Sequence, residues 1–215
     1  PKLERLNKEK DLVGIYLSAH PLDDFKLEMQ SFCTHELKDI QNLQHLAGKE
    51  VKVAGIVSGF EHRTSKAGRP FGSITIEDYS ASYRFMLFSK SYDQFKHLMM
   101  QNNTLFVHGK IQERRDRPGE YDFRVQRVDY LSELRSQIKK MSIKIPVDKI
   151  TDELIAEIHH QVEENKGASE LNFLVYDPSN TKIWVNMFSR RHQIEVTPEF
   201  VNFLDTNPDL HYKIN

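Results

Sequence analysis

Two short stretches of this chain place several cations beside glycine and proline. They are His62-Arg63-Thr64-Ser65-Lys66-Ala67-Gly68-Arg69-Pro70 and Arg114-Arg115-Asp116-Arg117-Pro118-Gly119. Cations on such tips neutralise phosphates, an attraction that weakens as salt rises. Between them lie Phe71, Tyr121 and Phe123, and from one intervening strand whichever of Tyr83 or Phe85 faces outward. Aromatic faces stack on bases of any identity, worth about 1–3 kcal/mol per base. The candidate nucleic-acid-binding set is therefore Arg63, Lys66, Arg69, Phe71, Arg84, Arg114, Arg115, Arg117 and Tyr121. The competing reading makes the loops solvated hairpin ends and the aromatics core. For any one aromatic taken singly, core is the simpler role.

Other chemistry is sparse. Glu157 and His160 form one E-x-x-H, half of a motif that di-iron bundles use in pairs. His159 and His160 are helix neighbours pointing about 100° apart, an arrangement that does not converge on a metal. The sequence has no P-loop, G-x-S-x-G or H-E-x-x-H, and no carboxylate cluster suited to magnesium. Asp78 in Glu-Asp-Tyr suits a turn, and Cys33 suits a core. No catalytic residue, metal or cofactor is expected.

The elements that must position the cations run from Val51 to Tyr130. Strand 1 is expected over Glu50–Phe60. Strand 2 has Ile74 and Ile76 on one face and Phe71, Ser73 and Thr75 on the other. In strand 3, Tyr83, Phe85 and Leu87 alternate with Arg84, Met86 and Phe88, so either face could be core. Tyr92, Phe95, Leu98 and Met99 recur as in a helix over Ser91–Met100. Strands 4 (Thr104–Gln112) and 5 (Tyr121–Tyr130) follow. Five strands with a helix between the third and fourth is the order of the OB-fold barrel, which binds oligonucleotides across strands 2 and 3.

Before the barrel, Leu3, Leu6, Val13, Tyr16 and Leu17 suggest one short helix stopping at His20-Pro21. Pro21 can open a second helix, with Leu22, Phe25, Met29 and Phe32 on one face. After Ser132–Lys140, a polar linker read as helical, the pattern becomes α+β. MSIKIPV alternates as a strand, Thr151 caps a helix closed by Lys166-Gly167, and LNFLVYD and KIWVNMF form a hairpin. Thr197-Pro198-Glu199 starts another helix, and Leu210–Ile214 is a last strand. The fold class is mixed β and α/β: a five-stranded OB-fold barrel preceded by two short helices and followed by a small α+β domain. Its divisions are 1–48 helical connector, 49–131 barrel, 132–140 linker and 141–215 C-terminal domain.

The composition, 39% hydrophobic and 28% charged, fits an ordinary globular protein. No apolar run approaches the ~20 residues of a membrane span. The single cysteine excludes an internal disulfide, and a cytoplasmic location follows by default. The opening PKLERL, without an initiator Met, reads as an excised or processed piece. The net charge of −1 hides an asymmetry. Residues 49–131 carry 14 Lys/Arg against 10 Asp/Glu, and the remainder 16 against 21.

The run from Glu9 to Leu22, EKDLVGIYLSAHPL, resembles a stretch of the bacterial DNA polymerase III alpha subunit that leads toward its OB domain. Val53–Val57, the loop Thr64–Phe71, Ile74–Asp78 and Phe85–Phe88 are similar to that family's first barrel strands. The resemblance covers about residues 9–131; beyond, it holds by position and general pattern only. Ala19 and Ala81 stand where the family usually has Gly, the second implying a longer or differently shaped 2–3 turn. Polymerase activity, by this resemblance, lies outside this chain, as does the family's clamp-binding peptide. Residues 1–48 would be a connector from the fingers region. The barrel would bind single-stranded template DNA, chiefly through Lys66 and Arg69. Residues 141–215 would contact the replisome, where the partners are the tau subunit of the clamp loader and, through the holoenzyme, the sliding clamp. Two alternatives stand beside this. One is an interaction scaffold that binds no nucleic acid. The other is a free-standing RNA-binding OB protein such as an anticodon-binding domain, against which the His20-Pro21 segment argues.

Overall fold

The computed structural model describes every residue except Pro1, Ile15, Leu17 and Asn215, and every side chain among them except those of Lys2, Leu3, Asn7, Lys10, Asp11, Val13 and Thr181. The expected roles of Leu3, Val13 and Leu17 thus lie outside the described residues. The chain divides into two compact units, 1–134 and 135–215.

In the first unit, helix α1 (Lys2–Val13) ends earlier than the apolar spacing suggests. Gly14 follows at φ +85°, the left-handed conformation that stops a helix and that glycine adopts without strain. Pro21 does not open the next helix. It lies in a turn, and a short 3₁₀ segment (Asp23–Phe25) leads into α2 (Lys26–Phe32). The Asp23 carboxylate caps this turn by accepting from the His20 N–H at 2.7 Å. The expected apolar face does form. Leu22 is fully buried, and Phe25, Met29, Phe32 and Cys33 pack around it against Ala54, Ile56 and Phe106. Burial there pushes the Cys33 thiol up to about 12, as suits a core residue.

The barrel is a coiled antiparallel sheet in the order β3-β2-β1-β4-β5. Strand β1 (Glu50–Thr64) is four residues longer than expected, because its polar end still pairs with β2 (Pro70–Glu77). Its first half pairs with β4 (Thr104–Glu113) and its second half with β2, with a bulge between Val57 and Gly59 where it bends. Strands β3 (Ser82–Phe88) and β5 (Tyr121–Tyr130) flank the sheet. Helix α3 (Ser89–Phe95), shorter than expected and continued by a 3₁₀ turn to Leu98, places Tyr92, Phe95 and Leu98 in the core.

The turn between β2 and β3 is compact rather than lengthened. The Asp78 N–H donates to the Ala81 carbonyl at 3.0 Å. The Asp78 carboxylate accepts four hydrogen bonds: from the Ser80 N–H and hydroxyl, the Ala81 N–H and the Leu37 N–H, at 2.7–2.9 Å. No positive φ is needed at Ala81. The turn also holds the connector. The Tyr79 hydroxyl donates to Asp23 at 3.0 Å, and its ring packs on His20, centroids 4.3 Å apart.

The second unit has the sheet order β8-β7-β6-β9. Strand β6 (Lys140–Pro146) and helix α4 (Asp152–Glu164) lead to β7 (Lys166–Asp177), parallel to β6. Thr151 caps α4 as expected, its hydroxyl accepting from the Leu154 N–H at 3.2 Å. Lys166-Gly167 do not close it. Buried Asn165 does, donating to the Gln161 carbonyl and accepting from the Thr197 hydroxyl. Strand β8 (Asn180–Ile194) forms the hairpin with β7, and α5 (Pro198–Thr206) and β9 (His211–Ile214) complete the unit. The expected helical linker is a pair of 3₁₀ turns, Leu131–Glu133 and Arg135–Gln137.

Replacing Asp78 with Ala leaves one buried-side and two turn N–H groups unpaired. It is expected to destabilise the first unit by about 1–3 kcal/mol in urea unfolding. Asp93→Ala, on an exposed helix face, should stay within about 0.5 kcal/mol of the parent.

Candidate nucleic-acid interface

The period of two along β3 decides which side chains can meet a ligand. Phe85 and Leu87 are about 1% exposed and belong to the barrel core, and Tyr83 packs against it. Arg84, Met86 and Phe88 face out, with Phe88 46% exposed. The outward aromatic of strand 3 is therefore neither Tyr83 nor Phe85. Phe123, also considered for stacking, is buried against Phe85 in an edge-on contact with centroids 4.9 Å apart. Tyr121 is half-buried against the same core.

Register carries this outer row across the sheet. Phe88 lies opposite Phe71, which lies opposite Arg63; Met86 lies opposite Ser73, which lies opposite Glu61. The Phe71 and Phe88 rings stack, with centroids 5.9 Å apart and planes 20° from parallel. One carboxylate oxygen of Glu61 meets two guanidiniums, Arg63 at 2.6 Å and Arg84 at 3.0 Å. Ser73 supplies the small residue between them. The outer face thus presents an apolar plate of Phe71, Met86 and Phe88, bordered by two arginines around a single acid.

Arg63 is a strand residue on this face rather than a loop residue, since β1 reaches Thr64. The tip proper is Ser65–Arg69, closed by hydrogen bonds from the Ser65 N–H to the Arg69 carbonyl and from Gly68 to Ser65. Gly68 at φ +74° makes the turn. Lys66 and Arg69 are exposed at this tip, with no ion pair recorded among the described residues.

The second hairpin is differently charged. Arg114 makes a two-point contact with Asp116 at 2.8 and 3.2 Å, with Glu120 at 3.8 Å and Asp122 at 3.7 Å nearby. The bond to Asp116 holds the Arg114 guanidinium above its usual pKa and the Asp116 carboxyl below its own. Arg117 pairs with Glu120 at 3.5 Å and Arg124 with Asp122 at 3.5 Å. Between Glu113 and Arg124, four cations (Arg114, Arg115, Arg117, Arg124) face four acids (Glu113, Asp116, Glu120, Asp122). From Glu61 to Pro70, three cations (Arg63, Lys66, Arg69) face one acid. Positive charge is therefore concentrated on the first hairpin and β3. In the second hairpin, exposed Arg115 is the cation with no ion pair recorded among the described residues.

Strand β3 joins the two hairpins. A cavity of about 360 Å³ is lined by Arg84, Met86 and Phe88 on one side and by Arg114, Asp122 and Arg124 on the other. Arg84 faces this cavity while also holding Glu61 beside Arg63. Sequence reasoning had Arg84 and Phe71 but missed Phe88 and Met86. Their apolar character reads as core unless the partner face is known, and the charge of Arg84, two and four positions away, was the signal that could have placed them outside.

Comparison with known proteins agrees with this architecture. Residues 51–131 match the family model described as OB-fold nucleic acid binding domain. Residues 141–215 match that of the DNA polymerase III alpha subunit, C-terminal domain. The DNA polymerase III subunit alpha of Saccharopolyspora erythraea is 27% identical over 181 residues, covering 83% of this chain and 15% of the relative. That of Escherichia coli K12 is 23% identical over 184 residues, covering 85% and 16%. The chain thus spans about one-sixth of the length of these relatives. Asparaginyl-tRNA synthetase from Pyrococcus horikoshii, complexed with asparaginyl-adenylate, aligns over 45% of this chain and 21% of its own, at 18% identity and TM-score 0.33. Among the described residues, no helix is long and apolar enough to cross a membrane. Both matched regions and the full-length relatives agree: the chain is similar over residues 51–131 to OB-fold nucleic acid binding domains and over residues 141–215 to the C-terminal domain of DNA polymerase III alpha subunits.

Proposed function

We propose that the barrel binds single-stranded DNA across the outer face of β2 and β3, as the template-handling module of a replicative polymerase. The observation that carries this is the row Arg84–Met86–Phe88. It joins a stacking plate (Phe88 on Phe71) to guanidiniums at Glu61 and lines a cavity with the second hairpin. Bases stack on Phe88 and Phe71. Phosphates are met by Lys66, Arg69, Arg63 and Arg84, with Arg115 and Arg117 at the far rim. Arg114 serves mainly to brace its hairpin, because its donors are already turned toward Asp116. Nucleotidyl transfer belongs to the portion of the parent polymerase outside this chain, so this part positions template and does no chemistry on it.

The second unit contacts a protein partner of the replisome, which in this family includes the tau subunit of the clamp loader. Supporting this, the edge strand β8 exposes Ile183, Trp184, Val185, Met187 and Phe188. Large apolar residues gathered on one exposed strand mark an interaction surface sooner than a solvated edge. The sliding clamp reaches this chain through the rest of the holoenzyme.

Fluorescence anisotropy with labelled oligo(dT) tests the barrel. Binding is expected to weaken with salt, and Lys66→Ala/Arg69→Ala should lower the slope of log K against log salt by about 1.4, at about 0.7 per single-strand phosphate contact. Arg114→Ala/Arg115→Ala should lower it by about half as much, since only Arg115 is available. Phe88→Ala should cost about 1–3 kcal/mol of binding without changing the slope, because stacking releases no counterions. An absence of binding at low salt would leave the scaffold reading, and tighter binding to oligo(U) than to oligo(dT) would favour an RNA-binding barrel. For the second unit, Trp184→Ser/Phe188→Ser is expected to abolish co-elution with tau while leaving oligonucleotide affinity unchanged.

A further inference from the structure

In the second unit, three metal-ligating groups from two elements meet at one end of α4. His159 and Glu163 lie one helical turn apart (i, i+4) and so share a face, unlike His159 and His160. His192 comes from the last third of β8. Their ligand atoms all lie within 4.8 Å of one another. The His192 Nδ1 is 3.0 Å from Glu163 Oε1, and the His159 and His192 rings sit edge to face with centroids 5.7 Å apart. Lys166 holds the other carboxylate oxygen, Oε2, at 2.7 Å, so one oxygen is braced and the other points at the histidines.

We propose that His159, Glu163 and His192 form a binding site for a zinc-type divalent cation that ties the β7–β8 hairpin to α4. Zinc–nitrogen and zinc–oxygen bonds of about 2.0–2.2 Å require donors about 3.3–3.5 Å apart in a tetrahedral site. The Glu163–His192 pair already stands close to that separation. His159, exposed and in ring contact with His192, closes the remaining gap by side-chain rotation. The metal would bind His192 through Nδ1, the ring atom that already faces Glu163. Two imidazoles and one carboxylate suit zinc rather than magnesium, which prefers an oxygen shell and keeps its waters. Three protein ligands leave a fourth position facing solvent.

The location gives the cation a structural consequence. His159 and His192 also border an apolar cleft of about 310 Å³ lined by Ile155, Ile158, Val162 and Met187. A metal joining them fixes the width of that cleft at one end. Beyond the histidine pair, β8 carries the exposed apolar strip, so the hairpin's anchorage to α4 also governs how that strip is presented.

The test uses the untagged 215-residue chain, stripped with a chelator and titrated with Zn²⁺ against a chromophoric competitor, and with Co²⁺ read by its visible absorption. One equivalent is expected to bind, unaffected by millimolar Mg²⁺, and Zn²⁺ is expected to raise the thermal midpoint of the second unit. His159→Ala, His192→Ala and Glu163→Gln should each weaken binding by more than about 100-fold, beyond the roughly 10–100-fold that loss of an outer-shell partner costs. His160→Ala should not. Circular dichroism of the metal-free variants, matching the parent, separates loss of ligand from loss of fold. The site is overturned if the His159→Ala/His192→Ala double variant takes up Zn²⁺ as the parent does, or if His160→Ala weakens binding as much as His159→Ala.

Discussion

The first unit depends on one long strand serving two partners. β1 hydrogen-bonds β4 through Glu50–Ile56 and β2 through Ile56–Thr64, so it must bend sharply in the middle. The bulge before Gly59 supplies the bend, and glycines in β1 and β4 allow close approach to the neighbouring strands. A side chain at Gly55 would meet the Glu77 carbonyl oxygen at 2.6 Å, and one at Gly109 would strike the Phe123 ring. Because the sheet coils there, β3 at one edge approaches β5 at the other. That approach creates the cavity between Arg84, Met86 and Phe88 and the second hairpin. The candidate interface is a consequence of closure, not an addition to it.

Closure also explains why much of the fold was legible and part of the site was not. Alternation in β2, the apolar spacing in α3 and the Gly/Pro tips were each readable because they report local backbone geometry. Ile74 and Ile76 point inward with Phe71 and Thr75 outward, as their spacing implies. In β3 both faces carry apolar residues, and only the charge of Arg84 marks one of them as the outer face. The packing that fixes this comes from β5, where Phe123, 38 residues after Phe85, packs on that ring while Phe88 stays outside. Helix ends were misplaced for a related reason. Gly14 stops α1 through its own φ, and Asn165 stops α4 through a hydrogen bond to Thr197, 32 residues away. The first was visible in the sequence and overlooked; the second is a tertiary fact.

The electrostatics show the limit of counting cations. Both hairpins read as basic tips, yet only one has surplus charge. Arg114, Asp116, Glu120 and Asp122 lie close on facing arms of one short hairpin, so their pairing follows from sequence separation once the strands are aligned. A guanidinium with a two-point carboxylate contact gives up that contact only for a partner that replaces both bonds. The barrel face is accordingly asymmetric, a cationic first hairpin and β3 opposite a balanced second hairpin. An anionic ligand crossing this face would meet its surplus positive charge at the first side, a bias that a uniformly basic groove would not have.

The connector motif acquires a physical meaning in the same terms. In Ser18-Ala19-His20-Pro21-Leu22-Asp23, Leu22 is a fully buried plug on the outside of the barrel. Asp23 accepts from the His20 N–H and the Tyr79 hydroxyl and pairs with Lys26 at 3.2 Å. Burial alone would raise its pKa, but these bonds outweigh it and hold the carboxyl below its ordinary value. The sign follows directly. The stabilisation is present above the ordinary carboxylate range and is lost as pH falls through the lowered value, so the attachment persists at neutral pH. The turn that Asp78 organises from within is thus the same turn that Tyr79 offers to the connector. Adjacent residues of one strand-end tripeptide serve opposite sides, one closing β2 onto β3 and the other fixing the chain that arrives. Through these two contacts the connector segment His20–Lys26 is held in one orientation against the β2–β3 turn of the barrel.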